Sequence, residues 1–67
     1  MAEEIRLPPA PTQRDLRQRI KVNAEDIAFY AAGWHNGHFS YDDCVAKLNG
    51  NAQLIQDDLA AYPSAEP

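Results

Sequence analysis

At 67 residues the chain holds one domain at most, and a chain this short buries only ~60% of the surface its unfolded form exposes, so its core is thin. The single cysteine, Cys44, excludes an intramolecular disulfide and fits a reducing cytoplasm, which leaves a metal or a partner subunit as added support. The net charge of −4 belongs to an acidic body with a basic arm, which excludes the broad cationic surface that duplex DNA requires.

From Ile5 to Val22 the charges are Arg6, Arg14, Arg17, Arg19 and Lys21 against Asp15 alone; from Asn23 onward Glu25, Asp26, Asp42, Asp43, Asp57, Asp58 and Glu66 face only Lys47. No secretory signal pattern is present, and no apolar run approaches the ~20 residues that span a bilayer. A cytoplasmic protein with no membrane segment is expected.

Residues 1–11 read as a flexible arm, because Pro8, Pro9 and Pro11 remove backbone donors and hold the chain extended. A helical domain is predicted over 12–62. Thr12, with Asp15 three residues on, is a helix start. Apolar residues then fall at Leu16, Ile20, Ile27, Tyr30 and Trp34, and Asn23 fills the missing place in a series of fours and threes. That is a heptad seam. It allows a single helix with Asn23 as a polar seam residue. It also allows a bend, in which Asn23 caps a second helix. Asn-Ala-Glu-Asp is a strong start signal and Val22 a weak helix former, so the bend is preferred, with helices over about 12–22 and 24–35.

Residues 36–40 form the turn. Gly37 can take the left-handed conformation that ends a helix, and Ser40 with Asp43 starts the next. The last helix, about 41–62, carries a second seam at Tyr41, Val45, Leu48, Ala52, Ile55, Leu59 and Tyr62. Gly50 falls inside it at a cost of ~1 kcal/mol against Ala, but the seam keeps its phase across it, which argues for one helix. Pro63 ends the helix and residues 63–67 read as a disordered tail. The fold class is therefore all-α: an antiparallel helical hairpin with an additional short N-terminal helix. A lone hairpin buries too little, so an oligomeric bundle is expected, seamed by Leu16, Ile20, Asn23, Ile27, Val45, Leu48, Ile55 and Leu59.

Catalytic chemistry finds no support in the residues. His35, His38, Asp42 and Cys44 crowd the turn, but their spacing matches no metal-ligand pattern. Cys44 lies beside Asp42 and Asp43, a poor setting for a thiolate. No Gly-rich phosphate loop is present. No catalytic residue, metal or cofactor is assigned. Binding chemistry remains: Phe29, Tyr30, Trp34, Phe39 and Tyr41 gather at the turn end, either as core packing or as a contact patch. Arg14, Arg17 and Lys21 share one helix face, either solvated or paired with Asp57 and Asp58.

The run Phe29-Tyr30, Gly37, Phe39-Ser40-Tyr41 and Ala46-Lys47-Leu48, over about twenty residues, resembles the helical hairpin of phage anti-CBASS proteins. Those are small-subunit oligomers that sequester cyclic oligonucleotide signals. The resemblance implies a homo-oligomer with ligand pockets between subunits; by residue type, Tyr30 or Trp34 would stack bases and Arg17 or Lys21 would meet phosphates. The leading expectation is nevertheless a phage-type or mobile-element inhibitor or regulator that binds a host protein through the turn-end aromatics and an acidic helix face. The cyclic-oligonucleotide sponge is second, and a small structural subunit third.

Overall fold

The computed structural model describes residues 9–67. The predicted arm therefore lies largely outside the described residues; Pro9, Ala10 and Pro11 are exposed and non-helical. Two helices follow, α1 (Gln13–His35) and α2 (Tyr41–Ala61), and a single 3-10 turn, η1, over Tyr62–Ser64. They form an antiparallel hairpin.

Local chemistry sets both helix starts. Thr12 accepts from the Asp15 amide at 3.2 Å, and the Thr12 amide donates back to the Asp15 carboxylate at 3.0 Å, a complete capping box. The hydrogen bond that the Thr12 amide donates to the Asp15 carboxylate, reinforced by the Thr12 side chain, holds that carboxyl below its usual range. Ser40 caps α2 by accepting from the Asp43 amide at 3.1 Å. Between them Gly37 sits at φ 80°, where a side chain would be strained.

Three expectations are corrected. Among the described residues there is no separate N-terminal helix, because α1 runs unbroken from Gln13 to His35 through a half-buried Asn23. A break at Asn23 would orphan up to four N–H and four C=O groups, whereas a helical Asn costs at most ~0.7 kcal/mol. The single-helix alternative is the one adopted. Nor is the tail loose. After Pro63 closes α2 into η1, the Gln13 amide donates to the Glu66 carbonyl at 2.7 Å, and Gln13 Nε2 to the Tyr62 carbonyl at 3.1 Å. The first turn of α1 has unpaired backbone donors, and the C-terminal segment supplies an acceptor for one of them, the Gln13 amide, and a second acceptor for the Gln13 side chain. Finally, the basic stripe is not what meets the α2 acids: Arg19, outside it, pairs with Asp58 at 2.7 Å, while Gln53 donates to Asp57 at 2.9 Å.

The two seams meet along the hairpin, but they bury little. Only Leu16 and Cys44 are fully buried among the described apolar residues, and Asp58 is buried as well. Ile20, Asn23, Ile27, Leu48 and Ile55 are half-buried, while Val45 and Leu59 stay exposed. Cys44 sits with its Sγ 4.0 Å from the Tyr30 carbonyl.

The two helical glycines predict opposite responses to alanine. Gly50 has open space where a Cβ would go, so Gly50→Ala should stabilise the protein by roughly 0.5–1 kcal/mol. A Cβ on Gly33 would instead fall inside the ring of Phe39. Gly33→Ala should therefore lose stability, by about 1–2 kcal/mol after the gain in helix propensity. Urea melts of the two variants check both signs; a stabilised Gly33→Ala would mean that Phe39 is not held against α1.

Candidate functional site

Residues two apart on a helix point about 160° apart. A two-helix hairpin therefore has two open faces, and the side chains divide between them.

On one face, near the turn, the rings of Trp34 and Tyr41 stand edge to face, 6.2 Å between centroids. They flank a shallow apolar groove of about 260 Å³ lined also by Ala31, Val45 and Leu48. At the open end of the hairpin a second hollow, about 350 Å³, lies between Ile20, Leu59 and Tyr62, with Arg17 and Lys21 in its lining. Arg17 is held there: its Nε donates to the Tyr62 hydroxyl at 2.9 Å and its guanidinium stands 5.4 Å from the Tyr62 ring centroid. Between the two hollows the outward positions of α1 are Ala24 and Ala28, and the α2 seam offers Ala52, so no charge interrupts the middle of this face.

The opposite face is mixed. Phe29 packs on Tyr30 at 5.4 Å and on Phe39 at 5.8 Å, and Tyr30 on Phe39 at 5.2 Å. Lys47 reaches over Tyr30, 5.8 Å from the ring centroid. Further along lie Val22, Leu54 and the Arg19–Asp58 pair. Phe29 is 63% exposed, which a core residue would not be. It is an aromatic edge with cations and acids around it.

The five aromatics thus do not make one patch. Phe29, Tyr30 and Phe39 belong to one face, Trp34 and Tyr41 to the other. Of the basic stripe, Arg17 and Lys21 reach the open-end hollow, while Arg14 is exposed and does not line it. Trp34 is seventeen residues from Arg17 on one continuous helix, roughly 25 Å of axial rise, so the two cannot serve one ligand within a single copy. Tyr62, taken from the sequence only as a seam residue, is the ring that stands with the cations. Gly33, unmarked in the sequence reading, is buried and lets Phe39 close on α1.

Among the described residues no group of three or more His, Cys, Asp or Glu side chains converges, and no helix is long and apolar enough to cross a membrane. His35 and His38 are exposed on either side of Gly37. Comparison with protein families, with curated proteins and with solved structures finds no match.

Proposed function

We propose that this is a non-enzymatic binding protein, a small inhibitor or regulator that docks on a host protein through the Phe29–Tyr30–Phe39 face. The observation that supports it most is Phe29, an aromatic side chain left 63% exposed on a rigid platform of two further rings. Aromatic residues on pre-formed surfaces dominate binding energy, because they bring large area and lose few rotamers. The surroundings suit a partner that comes and goes: Lys47 sets a charge over the Tyr30 ring, as the polar rim of a non-obligate interface does.

The test is capture from a lysate of the host cell on immobilised protein, followed by calorimetric titration of whatever is retained. A protein bound at micromolar affinity or better by the wild type, and lost with Phe29→Ser, is the expected result. Phe29→Ser leaves the fold intact because the side chain is mostly exposed. Finding no partner at micromolar affinity would end this reading.

One arrangement favours the cyclic-oligonucleotide sponge as the second reading. The open-end hollow offers a Tyr62 ring, the apolar Ile20 and Leu59, and two cations, a set that suits a base and a phosphate. A rise in melting temperature with cyclic di- or trinucleotides, diminished in Lys21→Ala, would move that reading to first place.

A further inference from the structure

We infer that the face whose middle carries no charge is covered by a second copy of this chain, lying antiparallel, so that the Trp34–Tyr41 ridge of each copy seats in the Arg17–Lys21 hollow of the other. The inference does not depend on the host-protein reading, which uses the opposite face, and it fills with the partner's rings the hollow that the cyclic-oligonucleotide reading would leave open to a ligand.

The first support is what the face exposes. Trp34 is 48% exposed, Tyr41 66%, Val45 38% and Leu59 56%. At roughly 150–250 Å² per large side chain these four leave about 400 Å² in water. With the half-buried and small residues between them, the face approaches the ~800 Å² that one partner contributes to a stable interface. Its middle carries no charge, which is the character of an obligate homodimer rather than of a transient contact. A hairpin with only two fully buried apolar side chains among the described residues has a strong incentive to be covered permanently.

The second support is that the two ends of the face match each other, not themselves. One end is an aromatic ridge and the other an apolar hollow edged by two cations. In a parallel pair Arg17 and Lys21 would lie near their own symmetry mates, a like-charge juxtaposition that costs energy. In the antiparallel pair the negative ring faces of Trp34 and Tyr41 meet those cations instead. The two-fold axis makes that contact twice, as an isologous interface does. It also brings α1 against its own copy near Ala28, where Ala24 and Ala28 allow close approach of the two helices.

The experiment is light scattering of the full chain over a concentration series, read together with the emission of Trp34, the only tryptophan. A particle of twice the 7.5 kDa chain mass is expected, with Trp34 emission shifting to longer wavelength as dilution splits it. Val45→Glu should weaken the dimer about a hundredfold by burying a charge at the interface, while Leu54→Glu, on the opposite face, leaves it unchanged. Ala28→Cys should oxidise to a covalent dimer and Arg14→Cys should not. The dilution series needs no variant, so it decides the matter even if Val45→Glu fails to fold. A monomer at all concentrations, a dimer sensitive to Leu54→Glu but not to Val45→Glu, or an Ala28→Cys chain that does not cross-link would each overturn the arrangement. None of these outcomes bears on partner loss in Phe29→Ser, so the two readings fail separately.

Discussion

Leu16→Ala is expected to remove about 2–4 kcal/mol of stability, the largest loss of any single truncation in the hairpin. Among the described residues Leu16 is the one large side chain that is fully buried, at 1% exposure. Truncating it forfeits its transfer free energy and leaves a cavity that two stiff helices can only partly close. A chain of this length has roughly 3–10 kcal/mol in total, so the loss is a large share. In urea the midpoint should fall by about 2 M or more, since small proteins lose ~1 kcal/mol per molar at the low end of the range. Leu54→Ala, at a 48% exposed position, should move it by less than half a molar. A Leu16→Ala chain that melts like the wild type would show that the hairpin is held elsewhere.

The second large effect concerns charge. Asp58 is buried at 4% exposure; one carboxylate oxygen accepts from the Arg19 guanidinium at 2.7 Å, and the other, Oδ2, has no hydrogen-bond partner among the described residues. Arg19→Ala leaves that carboxylate in the interior with nothing to compensate it, and should cost about 2–3 kcal/mol. Since half of the Arg19 side chain is in water, the lower part of the usual range applies. For a domain this small each kcal/mol moves the melting temperature by ~4–8 °C, so a fall of about 10 °C or more is expected. The paired change Arg19→Leu with Asp58→Leu should behave oppositely, melting at or above the wild type, because a buried ion pair is often no better than packed hydrocarbon. Equal, small effects in both would mean that Asp58 is hydrated after all.

What could be read from the sequence, and what could not, follows the range of each interaction. Thr12, Gly37 and Ser40 act on backbone groups within four residues, and their chemistry is spelled out in the letters beside them. The two seams repeat often enough that their phase survives Gly50. Asn23 misled because a capping signal is local, while the cost of breaking a helix is shared by eight backbone groups along it. Residues 63–67 misled for a related reason: composition describes the tail, but the donors that hold it belong to Gln13, far away in the chain.

The candidate site was legible in kind rather than in arrangement. All five aromatics are near the turn, as expected, yet five residues along α1 turn the chain by about 140°, which parts Phe29 from Trp34. The partner of Arg19 could not be chosen from sequence, because Asp57 and Asp58 are adjacent and only the hairpin register selects Asp58. Gly33 left a faint trace. A glycine within an alanine-rich helical run costs stability, and its retention signals a close approach, here by Phe39.

The contact between Gln13 and Glu66 gives the molecule a polarity. The described residues begin and end at one pole, so anything joined after Pro67 is tethered there, some 30 Å of helix from Gly37. In the antiparallel pair each open pole lies beside the partner's turn, so a tag, a fused domain or an immobilising surface joined there stands next to the partner's aromatic edges, and the dimer shows the same mixed end twice.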